Sequence, residues 1–491
     1  MVALLASSRR GEPLSDPREA PLDPRVVWLA LAVSTLAAAA LRLSFLNHQS
    51  FWFDEIYTRN VIAARTLAGL WHNVKATEST PPLYYLIAWL CGGRSAAAMR
   101  AIPAVALTVA VPVSYLAFRR LAGQRAALAT AAILAVSPIL VSYATDARAY
   151  GLLVLTAVLS VWGFSAVLEH GSPRRLALWG LACIACVWTH YFGIFLVAGE
   201  ALVLLALQPQ SRRGALWCSA LIAICIAPLL ALALSQAGDE RSAFIAGMPL
   251  STRLEQTVRQ FAMGPNVPRT WLEAAGLVLA CAAVAVGSVV AVRGRRGSHV
   301  LLTLLAAAFL VPLMLGALSI EDRFYSRNVV AALPLVAALA APALLRLRAV
   351  PLAGYVVLAT LSSVWVATDW RYEQTDWRGA LQRAAAIDRN AAVVAVTKYS
   401  GNVAGTYWGE PAAHHAVLIR DAWIVVEPLR PPGHRDLRPA GIPPTVAGAL
   451  RGFSPTRLQT VHAFRLILVT SHRPRMIDPR RLAPLAEVFP G

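Results

Sequence analysis

The sequence predicts a polytopic α-helical membrane protein of about 11 transmembrane helices, followed by a small C-terminal α/β domain. Of its 491 residues, 57% are hydrophobic and only 14% are charged, whereas soluble domains carry roughly 25% charged residues. Long apolar runs recur from Val26 to about residue 368, with short basic connections between them. After that point the apolar runs shorten, and strand-like and helix-like stretches alternate, which is typical of an α/β domain.

The predicted spans follow from the length of the apolar runs, because a bilayer-crossing helix needs about 20 mostly apolar residues. The eleven runs are 26–46, 101–118, 125–142, 149–168, 174–189, 191–207, 214–234, 273–292, 299–318, 329–345 and 350–368. One further run, Leu83 to Cys91, is too short to cross. It follows Pro81-Pro82, which suit a helix start, so it is interpreted as a juxtamembrane helix lying in the interface.

Arginines in the connections set the predicted orientation. With the N-terminus inside and 83–91 uncrossed, every short basic connection falls on one side, as the positive-inside rule requires. These connections carry Arg119, Arg120, Arg125, Arg174, Arg175, Arg212, Arg213, Arg293, Arg295, Arg296, Arg346 and Arg348. The net charge of +19 is therefore interpreted as setting topology, and no nucleic-acid partner is expected.

The domain boundaries follow from the same pattern. Residues 1–25 are predicted to form a cytoplasmic tail and not a cleavable signal, because its arginines precede a long apolar run without a cleavage site. Residues 26–368 form the predicted transmembrane domain of a multi-pass cell-membrane protein. Residues 369–491 form the predicted extracytoplasmic α/β domain, with strands expected at 391–397, 423–429 and 464–470.

The outer side receives the chemically unusual connections. The first outer loop, 47–100, contains an acidic pair, and the loop 235–272 contains a predicted amphipathic helix in which Leu250, Leu254, Val258 and Phe261 oppose Arg253, Gln256 and Arg259. The others are SYATDARAYG (142–151), THYFG (189–193) and SIEDRFYSRN (319–328). The six cysteines lie in apolar runs, so Cys183 and Cys186 are interpreted as a buried helical pair and no disulfide framework is expected.

Asp54 and Glu55 are the first candidate site residues. They could be helix-start residues stabilised by the helix dipole. Alternatively, the aromatic residues Phe51, Trp52 and Phe53 hold this loop on the membrane. The carboxylates would then lie beside the lipid headgroups, where a positioned carboxylate can accept a proton from an acceptor hydroxyl.

The remaining outer connections supply further candidates. Asp146 and Arg148 either pair with each other or contribute to a site. Arg323 and Arg327 form an intrahelical pair or interface anchor, or they bind a phosphate or pyrophosphate group, for which guanidinium suits well. The candidates for contact with substrate are Tyr84, Tyr85, Tyr150, His190 and Tyr325, although His190 also suits a structural role at a helix end.

Several motifs together resemble a known family. FWFDE after the first span, TPPLYYL (Thr80 to Leu86), DARAYGLL and RFYSRNVVAALPLVAAL resemble the fold-C polyprenyl-phosphate-sugar-dependent glycosyltransferases. The nearest relatives by this resemblance are the dolichyl-phosphate-mannose protein mannosyltransferases and the lipid A aminoarabinose transferases. The resemblance covers about residues 26–345, and the acidic pair is its only sharp motif.

The resemblance implies an inverting transfer of a hexosyl or pentosyl group from a polyprenyl-phosphate-linked sugar to a protein, lipid or glycan acceptor. Asp54 takes the place of the family's first-loop catalytic aspartate, with Glu55 supporting it, and Asp146 that of a second outer-loop acid. Arg148, Arg323 and Arg327 would bind the leaving phosphate as its charge grows. No cofactor is required, although three acids suit a divalent metal.

Two other classes of function compete with this one. A lipid or solute transporter or flippase would place polar groups near mid-membrane and show repeated halves, and neither feature is present in the sequence. A non-catalytic partner in envelope assembly would tolerate Asp54→Ala without loss.

Overall fold

The computed structural model describes residues 20–236, 243–268, 270–320, 322–397, 403–430 and 435–490. Residues 1–19 of the predicted tail lie outside this range. The chain forms two compact units. The helical unit comprises Met1–Leu46, Val61–Pro265 and Thr270–Val364, and the C-terminal unit comprises Asn47–Asn60, Asn266–Arg269 and Trp365–Gly491.

Helices dominate the chain up to residue 368. They are α1 (Pro24–Leu43), α2 (Phe53–Val61), α3 (Leu67–Thr77), α4 (Leu83–Cys91), α5 (Ala96–Ala122), α6 (Gln124–Val136), α7 (Pro138–Ala144), α8 (Tyr150–Glu169), α9 (Pro173–Thr189), α10 (Gly193–Leu207), α11 (Arg212–Gln236), α12 (Ala243–Ala246), α13 (Leu250–Met263), α14 (Trp271–Val292), α15 (Arg296–Leu305), α16 (Val311–Ala317), α17 (Leu333–Leu344) and α18 (Val350–Thr368). A π-helical turn, Ala306–Leu310, joins α15 to α16.

Each of the eleven predicted apolar segments contains a helix, and the polytopic helical fold class is confirmed. Within the described residues, seven helices are long and apolar enough to cross a membrane, and the bent pair α6–α7 makes an eighth. The other three predicted spans are shorter: α9 has 17 residues, α10 has 15, and α17 has 12 after a 3-10 turn at Val330–Ala332. At 1.5 Å per residue these helices fall short of the roughly 30 Å hydrocarbon core.

Proline causes the break between α6 and α7, and a buried arginine compensates for it. Pro138 has no N–H, so the carbonyl of Leu134 loses its helical donor. The guanidinium of Arg42, which is fully buried in α1, donates to Leu134 O and to Leu107 O, both at 2.5 Å. This arginine therefore stabilises a broken span through main-chain carbonyls.

Small residues allow close packing around α8. In a bilayer, helices associate through close packing and not through expulsion of water, so small residues are favoured at their contacts. Gly163 of α8 faces α9, where an added Cβ would lie 2.8 Å from the Cα of Trp179. Gly151, at the start of α8, faces α5, where an added Cβ would lie 2.7 Å from the Cβ of Pro103. Both contacts require glycine.

Arginines in the basic connections of the helical unit contact the C-terminal ends of helices. Arg120 and Arg175 both contact Glu169, at 2.9 and 3.6 Å. Arg212 donates to Leu205 O and Arg296 to Leu207 O, at 2.9 Å each. Arginines from four predicted cytoplasmic connections thus bind helix C-termini, where the carbonyl dipoles favour positive charge.

The amphipathic helix predicted in the loop 235–272 is present as α13, but its faces differ from the prediction. Arg253 is buried and Val258 is 40% exposed. The reason is an ion pair, because Arg253 contacts Asp322 at 2.6 Å and also donates to Phe324 O at 3.3 Å. Residues 237–242 and 269 of this loop lie outside the described range.

The C-terminal unit has the predicted α/β character. Its helices are α19 (Trp377–Ile387), α20 (Val403–Trp408) and α21 (Pro444–Ala449). Its strands are β1 (Ala392–Val396), β2 (Val417–Val426), β3 (Ser454–Val461), β4 (Phe464–Ile477) and β5 (Ala486–Phe489). The five strands have the order β3-β4-β2-β1-β5; β1 pairs parallel with β2, and the other pairs are antiparallel.

Candidate functional site

A buried ion pair anchors the polar cluster of the helical unit. Glu78, at the C-cap of α3, is 2% exposed. The guanidinium of Arg148 contacts both of its carboxylate oxygens, Nη2 to Oε2 at 2.8 Å and Nη1 to Oε1 at 3.0 Å. This two-point geometry fixes the orientation of the guanidinium as well as its position.

Tyr85 of α4 completes the environment of Glu78. Its hydroxyl donates to Glu78 Oε2 at 2.7 Å and lies 3.0 Å from the hydroxyl of Thr80. Arg148 also lies over the Tyr85 ring, 5.9 Å from its centroid. Burial raises the pKa of Tyr85 well above its ordinary value, so the phenol remains a hydrogen-bond donor.

The neighbouring residue Tyr84 has a supporting position. It is fully buried, and its hydroxyl lies 3.4 Å from the carbonyl of Met99. That carbonyl lacks its helical donor because Pro103 follows four residues later in α5. Tyr84 therefore stabilises the start of α5 and supports the ring of Tyr85, against which it packs edge-on with the ring centroids 5.4 Å apart.

His190 lies where several connections that are predicted to be outer come together. Its ring is 6.1 Å from that of Tyr150, which is 5.1 Å from that of Tyr143. Burial, followed by the charges of Arg327 and Arg148, lowers the pKa of His190 to about 3, although a hydrogen bond with Asn328 raises it. The imidazole is therefore neutral at physiological pH, and two arginines lie within electrostatic range of it.

The connection 319–328 contributes aromatic and cationic groups to the same cluster. Arg327 lies over the ring of Tyr325, 5.6 Å from its centroid, and over that of Phe244 at 5.1 Å. Arg323 lies within electrostatic range of Tyr191, and its carbonyl accepts from Asn328 at 2.7 Å. Because residues 322–325 form no helix, the alternative of an intrahelical Arg323–Arg327 pair is wrong.

Asp146 lies in the same part of the helical unit. It and Arg327 are both within electrostatic range of Tyr143. The Arg148 N–H donates to the Asp146 carbonyl at 2.7 Å, so these residues form a tight turn before α8. The guanidinium of Arg148 is directed to Glu78, a partner that the sequence interpretation did not consider.

Asp54 and Glu55 lie in the first turn of α2 and belong to the C-terminal unit. Glu55 is fully buried, and its Oε2 accepts from the Trp52 N–H at 3.2 Å. This contact is the returning half of a capping box, in which a residue in the first turn satisfies the N–H of the cap residue. Asp54 is half-buried, so Glu55 has a helix-capping contact and Asp54 is the more accessible acid.

One of the aromatic residues that were predicted to hold this loop on the membrane, Phe51, has a different environment. Phe51 is 6% exposed, and its ring lies 6.3 Å from that of Tyr407 in α20. Phe53 packs edge-on against Tyr57 at 5.0 Å. Phe51 is therefore buried within the C-terminal unit and does not hold the loop on the membrane.

The structure thus gathers eight predicted residues in the helical unit and leaves the acidic pair in the C-terminal unit. The gathered residues are Tyr85, Asp146, Arg148, Tyr150, His190, Arg323, Tyr325 and Arg327. Sequence reasoning missed Glu78, a lone glutamate two residues before the TPPLYYL motif. Within the described residues there is no group of three or more His, Cys, Asp or Glu side chains that could hold a metal ion.

Comparisons with known proteins give a family pattern and a fold. Residues 79–234 match the family model for dolichyl-phosphate-mannose-protein mannosyltransferases. No curated protein sequence matches the chain. The crystal structure of ArnT from Cupriavidus metallidurans in the apo state is similar with a TM-score of 0.56 at 14% identity, over 91% of this chain and 97% of that one.

Two further structures are more distant. ArnT from the same organism bound to undecaprenyl phosphate has a TM-score of 0.44 at 12% identity, over 94% of this chain and 99% of that one. The Archaeoglobus fulgidus oligosaccharyltransferase in complex with Zn and sulfate has a TM-score of 0.46 at 14% identity, over 72% of this chain and 55% of that one. The chain thus spans about half the length of the archaeal protein. The resemblance to fold-C glycosyltransferases is confirmed.

Proposed function

We propose that this chain is a membrane glycosyltransferase that moves a sugar from a polyprenyl-phosphate-linked donor to an acceptor on the outer face of the membrane. The observation that carries the proposal is the group of guanidiniums around His190 in the helical unit, within and beside the region that matches the mannosyltransferase family. One related structure contains undecaprenyl phosphate, which is the kind of group that such arginines suit.

The arginines are proposed to bind the donor phosphate. Arg327 and Arg323 come from a connection beside the neutral His190 and Tyr191. A phosphate leaving group gains negative charge as the bond to the sugar breaks, and fixed guanidiniums stabilise that charge. Arg148 has five N–H donors, and this number suits a carboxylate and a phosphate at the same time.

Asp54 is proposed as the general base. The acceptor hydroxyl gives its proton to this carboxylate while it attacks the anomeric carbon on the face opposite to the leaving phosphate, so the configuration inverts. Glu55 orients Asp54, since it caps the first turn of the same helix. A divalent metal and the identities of the sugar and acceptor stay open within this proposal.

The test is a comparison of turnover with donor binding in nanodiscs. General-base assistance is typically worth about 10²–10⁴-fold, so Asp54→Asn should lower transfer by that factor from a polyprenyl-phosphate hexose or pentose while polyprenyl phosphate still binds. Asp478→Asn, which alters a carboxylate paired with Arg480 at 3.0 Å, is the matched control. Near-normal turnover of Asp54→Asn would overturn the assignment and make Asp146 the next candidate.

Arg327→Ala and Arg323→Ala should show the complementary defect, weaker binding of polyprenyl phosphate. Arg346→Ala, in a predicted cytoplasmic connection, is their control. The anomeric configuration of the product, read by NMR, tests inversion. If the wild-type protein transfers neither sugar to any membrane acceptor but moves the lipid across the bilayer, a flippase is favoured instead.

A further inference from the structure

The segment Asn47–Asn60, in the predicted first outer loop, is part of the C-terminal unit. More than 300 residues separate it in sequence from the main part of that unit, Trp365–Gly491. The segment carries α2 and its acidic pair. Its entry, residues 47–51, is bound by side chains from α19 and α20. Most of these contacts are hydrogen bonds to main-chain atoms of the segment, which fix the path of its backbone, and the others hold the hydroxyl of Ser50.

Arg378 of α19 binds the start of the segment. Its guanidinium donates to the carbonyl of Asn47 at 3.2 Å from both terminal nitrogens and to the carbonyl of His48 at 2.6 Å. Its own N–H donates to Ser50 Oγ at 3.0 Å. One residue of the C-terminal unit therefore binds the entry segment at three residues, Asn47, His48 and Ser50.

Tyr407 of α20 binds the end of the entry segment. Its hydroxyl accepts from the Phe51 N–H at 2.6 Å, and the two rings lie 6.3 Å apart. Thr406 next to it accepts from Arg59, near the C-terminal end of α2, at 3.4 Å. Both ends of the acidic helix thus contact α20.

Asp376, the N-cap of α19, connects the entry segment to the sheet. Its Oδ1 accepts from Ser50 Oγ at 2.8 Å and from the Gly379 N–H at 3.0 Å. Its Oδ2 lies 3.0 Å from Nδ1 of His462, whose ring stacks on Trp370 at 5.3 Å. The fully buried Ser50 is therefore hydrogen-bonded to Asp376, and His462 in the β3–β4 turn contacts the other carboxylate oxygen of Asp376.

We propose that Asp376, Arg378 and Tyr407 are positioning residues for α2, so that the C-terminal unit takes part in catalysis by fixing the carboxylate of Asp54. This proposal rests on the proposed function, in which Asp54 is the base. A nine-residue helix is too short to be stable alone. Its direction must come from the groups that bind its ends, and a base has to be held within about 0.5 Å of its working geometry.

The experiment uses the full chain in nanodiscs with Arg378→Ala and Tyr407→Phe. Their matched controls are Arg383→Ala, on the same helix but bonded to Gln459, and Tyr372→Phe. Hydrogen–deuterium exchange is read for peptides covering 47–60, and kcat and KM are read for the polyprenyl-phosphate sugar that the wild type transfers. A hydrogen bond is worth about 1 kcal/mol, so Tyr407→Phe, which removes one, should raise exchange of the segment about 5-fold. Arg378→Ala removes the bonds to the carbonyls of Asn47 and His48 and should raise exchange more.

Loss of positioning should lower kcat about 10- to 100-fold and leave KM for the donor unchanged, while the controls change neither quantity. A rise in KM with unchanged kcat, or faster exchange with normal kcat, would overturn the proposal. The same would follow if the controls lost as much activity as the test variants, because the effect would then be general destabilisation.

The outcome is separable from that of the proposed function. If Asp54→Asn keeps its activity while Arg378→Ala loses kcat, the segment is positioned but the base is a different residue. If Asp54→Asn is inactive and Arg378→Ala keeps full kcat with a loosened segment, Asp54 is the base and the C-terminal unit does not position it.

Discussion

One buried glutamate from each unit, Glu78 and Glu373, shows that the two units stabilise a carboxyl group in different ways. Glu78 of the helical unit is 2% exposed and meets a two-point arginine and a tyrosine hydroxyl. Glu373 of the C-terminal unit is 8% exposed and meets His48 at 3.2 Å, with Asp376 and Asp369 near it. Burial, then the charges of those two aspartates, raises the pKa of Glu373 from 4.5 to about 7. The first carboxylate is fixed by a permanent cation, whereas burial beside two aspartates raises the pKa of the second.

The largest expected effect follows from removing the cation of the fixed pair. Arg148→Ala leaves the Glu78 carboxylate buried without its counter-charge, which costs about 3–5 kcal/mol in other proteins. Unfolding of the variant in one detergent, followed against denaturant, measures this loss. Adding Glu78→Gln to Arg148→Ala should restore a large part of it, because the buried charge is then absent. Equal stability of the single and double variants would mean that the pair is not the source of the loss.

The second effect is a pH dependence of stability that comes from Glu373 of the C-terminal unit. Because folding raises the pKa of Glu373, its contribution to stability is complete below about pH 4.5 and is lost as pH rises through about 7. A pKa raised from 4.5 to about 7 corresponds to about 3 kcal/mol. Relative to wild type, Glu373→Gln should therefore gain stability as pH rises from 4.5 to 7. If the difference in unfolding free energy between the two proteins stayed constant from pH 4.5 to 7, the prediction would be contradicted.

The contrast between the two glutamates also shows how far the sequence can predict this molecule. The apolar segments and the polar connections between them were predictable because each is a local pattern. The connections 142–151, 189–193 and 319–328 do contribute to one cluster. Glu78 was not predictable, since its partner Arg148 lies 70 residues away and neither residue type is unusual by itself.

The same limit applies to the C-terminal unit. The three predicted strands are present, whereas β3 and β5 were missed. β3 is exposed along most of its length, so it lacks the alternation that marks a half-buried strand, and β5 has only four residues. The contact of Phe51 with Tyr407 is likewise long-range. The sequence therefore shows no sign of it and predicts that Phe51 lies at the membrane surface.

The loss of stability expected for a half-buried ion pair should lie between that for the buried pair of Arg148 with Glu78 and that for an exposed pair. Arg253 is 3% exposed, but its partner Asp322 is 29% exposed in its side chain. Arg253→Ala leaves Asp322 with access to water, so the expected loss is about 1–3 kcal/mol, the usual cost of a lost charged hydrogen bond. Asp322→Asn keeps an acceptor oxygen and should cost less. A loss as large as that of Arg148→Ala would show that exposure of one partner does not moderate the penalty.

The smallest effect is expected for the ion pair at the basic end of the helical unit. Arg120 contacts Glu169 at 2.9 Å, but the Glu169 side chain is 41% exposed and also has Arg175 at 3.6 Å. Water and the second arginine both compensate for the loss of Arg120, so Arg120→Ala should cost less than about 1 kcal/mol. High salt should reduce even this difference, because exposed charges are screened over about 10 Å at 0.1 M, whereas the loss in Arg148→Ala should persist. The two variants are therefore compared by unfolding in the same detergent at low and high salt, with Arg119→Ala as a neighbouring control. If Arg120→Ala matched Arg148→Ala at both salt concentrations, burial would not be what distinguishes the pair of Glu78 from the other ion pairs of this chain.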